Sequence, residues 1–243
     1  MDINCDYGED FGVYSLHTSD AILNYVTSVN VACGFHAGDP LVMQRTVEQA
    51  VVKGVRIGAH PGYADLQGFG RREMQISADE IKALVLYQIG ALYGFVKAAG
   101  GRLHHVKPHG ALYNQCANDQ EKAQAIIDAV KAFDEDLVLY ALAGSLQADM
   151  AREQGLTVFE EVFADRNYNA DGTLVSRREA NAVIASEDDM LLHVERIVRE
   201  QKIIAIDGSE LQTEAKTICI HGDGAHAFSF AEKVARIVKA STM

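Results

Sequence analysis

The chain lacks the basic surplus, long apolar runs, paired cysteines and prolines by which several protein classes announce themselves. Its 22 Lys and Arg stand against 34 Asp and Glu, a formal net charge of −12. No basic block or aromatic-interleaved stripe is present, so nucleic acid is not an expected partner. No stretch approaches the roughly 18 to 20 consecutive apolar residues of a membrane span. Met1 leads straight into Asp2 and a strand-like start, without a basic and apolar leader, so the expectation is a cytoplasmic protein with no membrane partner. The four cysteines, Cys5, Cys33, Cys116 and Cys219, form no C-x-x-C pair; this favours buried free thiols over a cysteine zinc site. Only three prolines occur, and no Pro- or Ser-rich linker divides the chain, so a single domain is expected over 1–243. The two common nucleotide fingerprints, G-x-x-x-x-G-K-S/T and a G-x-G-x-x-G opening a helix after a strand, are also missing.

What the chain does have is an alternation of short apolar runs, Gly/His/Asp-rich turns and longer amphipathic segments, the pattern of βα units in an α/β fold. Seven strand-like runs are Met1–Cys5, Ser28–Cys33, Val55–Ala59, Leu103–Lys107, Leu137–Ala141, Leu156–Glu160 and Thr217–Ile220. Asp39-Pro40 and Gly54 read as the start and left-handed stop of one helix. Ser77/Glu80, Asn118/Glu121 and Ser176/Glu179 have capping-box spacing. Asp207-Gly208, between two short extended runs, predicts a hairpin before the last strand. A closed seven-stranded β/α barrel is the preferred topology, with an open doubly wound sheet as its competitor.

In either topology the ligand site lies beyond the carboxyl ends of the strands, and that is where the polar motifs fall. They are Asn4-Cys5-Asp6-Tyr7-Gly8-Glu9, Cys33-Gly34-Phe35-His36-Ala37-Gly38-Asp39, Gly58-Ala59-His60-Pro61, Lys107-Pro108-His109-Gly110-Ala111-Leu112-Tyr113-Asn114, Glu160-Glu161 with Asp165-Arg166, and Ile220-His221-Gly222-Asp223. His17 and His193 stand apart from such clusters. His104 and His105 are neighbours on a strand, so at most one points inward. Two chemistries fit the cluster. Imidazoles with a carboxylate, such as Asp6, His36 and His60, could hold a divalent metal that activates water. Alternatively, a carboxylate or His acts as general base while Lys107 faces a developing oxyanion or phosphate and Asn4 donates to an amide. The Gly68-Phe69-Gly70-Arg71-Arg72 stretch could grip an anion or be a surface loop.

Taken in order, Asn4–Glu9, Ala32–Asp39, Gly58–Pro61, Gly68–Arg71, Val106–Tyr113 and Ile220–Asp223 resemble the LamB/YcsF family over essentially the whole chain. The resemblance implies a seven-stranded barrel similar to the glycoside hydrolase/deacetylase superfamily. It also implies ATP-dependent opening of 5-oxoproline to L-glutamate, with ATP and Mg as co-substrate and 5-oxoprolinase subunits B and C as partners. On that reading Asp6, His60, Lys107, His109 and Glu160 are catalytic. Asn4, His36, Asn114, Arg166, His221 and Asp223 bind substrate, and Arg71 with Lys107 meets phosphate. Related deacetylases hold a metal with an Asp and two His, which Asp6, His36 and His60 could echo, although their H-x-x-x-H spacing is missing here. The rivals are a stand-alone metal-dependent deacetylase or amidohydrolase, and a non-catalytic binding subunit.

Overall fold

The computed structural model describes residues 1–15, 20–221 and 227–241; His17, Gly222 and Asp223 lie outside these. Seven parallel strands close into a barrel: β1 (Asp2–Tyr7), β2 (Ser28–Ala32), β3 (Arg56–His60), β4 (Leu103–Val106), β5 (Val138–Leu142), β6 (Val158–Phe163) and β9 (Thr217–Ile220), which returns to pair with β1. The open sheet is thereby excluded. The antiparallel pair β7 (Lys202–Ile204) and β8 (Glu210–Gln212) is the expected hairpin, set apart from the barrel.

Helices α1 (Pro40–Lys53), α2 (Ala78–Ala98), α3 (Gly110–Asn118), α4 (Gln120–Phe133), α5 (Leu146–Glu153), α6 (Glu187–Glu200) and α7 (Ala227–Ala240) accompany the strands. Asp39 caps α1 through its side chain, with Gly54 in the left-handed conformation at the other end, and Ser77 and Glu80 form a reciprocal capping box on α2. Two cap assignments need correction. Asn118 is the last residue of α3, and Asp119 caps α4 by accepting from Glu121 and Lys122. Ser176 and Glu179 start no helix: the segment between β6 and α6 is turns and isolated bridges, and Ser186 is the cap of α6. Arg166 fixes that segment, its guanidinium donating to the carbonyls of Ala182 and Val175.

Strand alternation explains where the core sits. Ile3, Cys5, Val29, Val31, Ile57, Ala59, Leu139, Ala141, Ile218 and Ile220 are all buried in one apolar cluster with helix residues such as Ile89, Leu92, Ile126 and Val130. Helix α2 is long and apolar enough to cross a membrane, yet its Ile81, Val85, Ile89, Leu92 and Val96 are buried in this cluster. The alternate strand positions point into the barrel and are largely polar: Asp2, Asn4 and Asp6 on β1, Ser28 and Asn30 on β2, His105 on β4, Tyr140 on β5, Glu161 on β6 and Thr217 on β9. At the bottom, Asp2 accepts from Tyr140 at 3.0 Å, Ser28 at 2.9 Å, Thr217 at 2.5 Å and Arg56 at 2.6 Å. Gly58 is required by close approach, since a Cβ there would lie 2.1 Å from His105 Nε2. All four cysteines are buried and free, as expected.

Candidate active site

Above the Asp2 layer, the inward side chains form one connected network centred on Lys107. Its ammonium, 2% exposed, lies 2.8 Å from Glu161 Oε1, 3.1 Å from Asp6 Oδ1, 3.1 Å from Asn4 Oδ1 and 3.2 Å from Cys219 Sγ. Asn4 donates to Glu161 at 2.8 Å and to Thr217 at 2.7 Å. Asn30 donates to Asn4 and Asp6 and accepts from His105 Nε2 at 2.7 Å. Burial alone would lower the Lys107 pKa, but Asp6, Cys219 and Glu161 around it raise it well above the ordinary lysine value. Burial would likewise raise the Asp6 carboxyl, whereas His60 and then Lys107 hold it well below the usual carboxylate range. Ionised Asp6 and cationic Lys107 are therefore fixed features of the neutral-pH site.

The end of β3 and the loops after β1, β2 and β4 bring His60, Glu9, His36 and His109 together beside Asp6. His60 Nδ1 lies 2.7 Å from the Lys107 carbonyl and His109 Nε2 lies 2.8 Å from the Phe69 carbonyl. His109 Nδ1 and His60 Nε2 face each other at 3.0 Å, and His60 Nε2 is 3.3 Å from Asp6 Oδ2. The His36 ring stacks on His109 with centroids 3.7 Å apart. Burial, reinforced by neighbouring imidazoles, drives His36 and His109 well below the ordinary histidine range, so both rings are neutral. Burial and the nearby Asp6 charge raise Glu9.

The Gly68–Arg72 stretch serves this cluster. Phe69 occupies the left-handed region at φ 53°, a conformation costly for an aromatic residue, and its carbonyl orients His109. Gly70 has φ 63°, and a Cβ there would meet His109 and His36 at 2.8 Å. Arg71 stands over the Phe69 ring at 4.9 Å and faces the site, whereas Arg72 turns away to pair with Asp65. Gln88 of α2 fixes the loop after β3, accepting from Gly62 N and donating to Gly62 O.

A cavity of 310 Å³ opens onto this cluster, lined by Asp6, Glu9, His60, Lys107 and His109 below and by Arg71, Asn114, Arg166, Arg177, Arg178 and His221 above. His221 lies 2.8 Å from Asp165 and 3.3 Å from Arg177. Burial would lower His221, but Asp165 beside it brings a net rise above the ordinary histidine value.

Most of the expected site thus converges, with revisions at Glu160, Asn4, His36, Arg166 and Lys107. Glu160 is not in it: its carboxylate pairs with Arg152 and accepts from Gly144 N at 2.9 Å on the outer face of β6, while its neighbour Glu161 points inward. Asn4 and His36 do not line the cavity, Asn4 being committed to the network beneath Lys107. Arg166 lines it, but two of its guanidinium nitrogens are bound to backbone carbonyls. Lys107 is poorly placed to grip phosphate, because two carboxylates already neutralise it. Asp223 lies outside the described residues. Arg177 and Arg178 escape a sequence reading because the capping-box pattern at Ser176 assigns them to a helix; the Arg pair itself is the available signal. Among the described residues His193 is a structural histidine, its Nε2 3.1 Å from the Phe163 carbonyl. His105, and not His104, is the inward one.

The donors for a metal differ from the set the resemblance implies. Glu9, His36, His60 and His109 present ligand atoms all within 4.8 Å of one another, while Asp6 groups with Cys219 and His221. One oxygen of Asp6 is also bound to Lys107 and Asn30. The triad Asp6, His36 and His60 therefore does not fit as a single ligand set.

A closed β/α barrel whose strand ends converge on buried carboxylates, imidazoles and an ammonium, under a cavity rimmed by guanidinium groups, is a barrel of the enzyme class. The chain belongs to the LamB/YcsF family, whose model matches residues 1–243. It is 55% identical over 234 residues to the 5-oxoprolinase A subunit of Tolumonas auensis, covering 96% of this chain and 93% of that one. It is 53% identical over 240 residues to the 5-oxoprolinase A subunit of Bacillus mycoides, covering 98% and 94%. A lactam utilization protein from Thermus thermophilus superposes with a TM-score of 0.91 at 44% identity, covering 99% of this chain and 96% of that one.

Proposed function

We propose that this chain is the A subunit of a cytoplasmic ATP-dependent 5-oxoprolinase, which opens 5-oxo-L-proline to L-glutamate together with subunits B and C. The observation that carries the reading is the cavity itself. It joins a floor of acid–base groups to a rim of Arg71, Arg177 and Arg178, complementary to a small anion that carries an amide. The near identity in length and fold with a lactam utilization protein agrees with this.

A five-membered lactam is an unstrained, resonance-stabilised amide, so its hydrolysis needs activation. Transfer of the terminal phosphoryl group of ATP to the amide oxygen releases ADP and makes the ring carbon electrophilic. Water then adds to that carbon and loses a proton, and the ring C–N bond breaks as the nitrogen takes up a proton, leaving an acyl phosphate that a second water cleaves to the glutamate carboxylate and inorganic phosphate. His109, neutral in its buried setting, and His60 beside it supply the proton-transfer positions. Ionised Asp6 and Lys107 preset the field beneath them, and Arg71 with Arg177 and Arg178 meets the substrate carboxylate or phosphate.

The test is conversion of 5-oxoproline to glutamate with ATP and Mg, using this chain alone and then with subunits B and C. No glutamate under either condition defeats the reading. Wild-type turnover by Asp6→Ala and His109→Ala in the assembly makes the chain a binding component. The stand-alone metal hydrolase is favoured by the imidazole cluster, and turnover independent of ATP and partners would select it.

A further inference from the structure

Backbone carbonyls only accept hydrogen bonds. His60 Nδ1, 2.7 Å from the Lys107 carbonyl, and His109 Nε2, 2.8 Å from the Phe69 carbonyl, must therefore each carry a hydrogen. The remaining nitrogens, His60 Nε2 and His109 Nδ1, then face each other across 3.0 Å, where at most one hydrogen fits. Glu9 Oε1, buried and without a hydrogen-bond donor, lies 4.0 Å from His109 Nδ1 and 3.8 Å from His36 Nε2. His36 is 0% exposed, and among the described residues neither of its ring nitrogens has a hydrogen-bond partner. Buried polar atoms left unpartnered side by side in this way are costly, and a cation joining them would relieve that cost. A single proton between His60 and His109 would relieve that pair but leave Glu9 Oε1 and His36 unserved.

We propose that Glu9, His36, His60 and His109 form a binding site for one divalent transition-metal ion of the zinc class. Three imidazoles and a carboxylate are a donor set suited to such ions. Donor separations in a tetrahedral zinc site come to about 3.3 Å; three of the six here are 3.0, 3.8 and 4.0 Å and all are within 4.8 Å, so the side chains need only draw in modestly around an ion. The carbonyls behind His60 and His109 supply the outer hydrogen bonds that fix ligand tautomers in metal sites. Gly62 and Gly70 leave the rings their room, since a Cβ at Gly62 would lie 2.6 Å from His36 Nδ1. Glu9, His60 and His109 line the cavity, so an ion there has an entry path.

The experiment is read without turnover, so it stands or falls independently of the lactam assay. The full chain is stripped with a chelator and titrated with Co²⁺, followed by displacement with Zn²⁺. The expected result is one Co²⁺ per chain, with visible ligand-field absorption that Zn²⁺ abolishes, and a rise in melting temperature on adding Zn²⁺. His60→Asn and His109→Asn variants with a wild-type far-ultraviolet circular dichroism spectrum should bind at least about 10-fold more weakly, while His104→Asn binds as wild type does. Absence of the Co²⁺ band and of any melting shift in the wild-type chain overturns the proposal, as does wild-type affinity in the His60 and His109 variants. If those variants do not fold, X-ray absorption of the Zn²⁺-loaded wild-type chain decides. Imidazole outer-shell scattering supports the site, and an all-oxygen shell refutes it.

Discussion

Replacing Lys107 by Met tests the electrostatic centre of the barrel. The substitution nearly conserves volume but removes the charge that Asp6 and Glu161 share at 3.1 and 2.8 Å. Two carboxylates would be left buried without that partner, and truncating one side of a buried ion pair costs about 3–5 kcal/mol. At a urea slope of about 2.5 kcal/mol per M, the unfolding midpoint should fall by about 1–2 M. The pH dependence is the sharper readout. Because Asp6 is held well below the usual range in the folded chain, its stabilising contribution is present above the unfolded carboxylate pKa of about 3.9 and is lost as pH falls through the folded value. Part of that contribution comes from Lys107, so the gap between wild type and Lys107→Met should be largest near neutrality and narrow below about pH 4. Equilibrium urea denaturation across pH measures it. A neutral-pH difference under about 0.5 kcal/mol, or a gap undiminished in acid, would refute the reasoning.

Gly58→Ala should destabilise the fold by about 1–3 kcal/mol through collision with the His105 ring, measurable by urea denaturation. Glu160→Gln should leave turnover of the reconstituted assembly unchanged, because its partners Arg152 and Gly144 lie outside the barrel. Glu161→Gln, by loosening Lys107, should lower kcat by up to about 100-fold. Asp39→Ala removes a side chain that accepts from Leu41 and Val42 and should cost about 1 kcal/mol in thermal or urea unfolding, with activity retained. Arg178→Ala should raise KM for 5-oxoproline about 10-fold with kcat little changed; an unaltered KM would remove that residue from substrate recognition.

The catalytic floor was legible because strand ends in parallel α/β folds collect ligand residues, and Asp6, His60, Lys107 and His109 each follow an apolar run closely enough to survive boundary errors of one or two residues. Glu160 did not survive one. The sixth strand runs from Val158 to Phe163, beyond the expected Leu156–Glu160, and with a side-chain period of two the choice between Glu160 and Glu161 rests on parity that an apolar run does not reveal. The Arg177/Arg178 rim failed for another reason. Ser176 and Glu179 satisfy a helix-start pattern locally, but the backbone there is held by Arg166, ten residues upstream of Ser176, through contacts no local pattern reports. Glu9 and the His36 pairing were equally hidden, since only folding brings the loops after β1 and β2 against those after β3 and β4.

Barrel interiors of this general kind are commonly packed with branched apolar side chains. Here the apolar residues of β1, β2 and β3 face the helices, and the interior positions of the same strands are Asp2, Asn4, Asp6, Ser28, Asn30, Gly58 and His60. Cohesion therefore resides mainly in the layer between strands and helices, while the interior is a hydrogen-bonded polar column running from Asp2 to the cavity. Such a column holds its shape only if nearly every group is satisfied, because each unmade bond in a low dielectric is costly. That condition is met around Asp2, Asn4, Asn30 and Lys107. It lapses at one oxygen of Glu161 beside Lys107 and more fully at the top, where His36 and Glu9 retain unpartnered atoms. The satisfied lower column fixes the positions of Asp6 and Lys107, and the unsatisfied upper end is where an incoming ion or substrate gains most by binding.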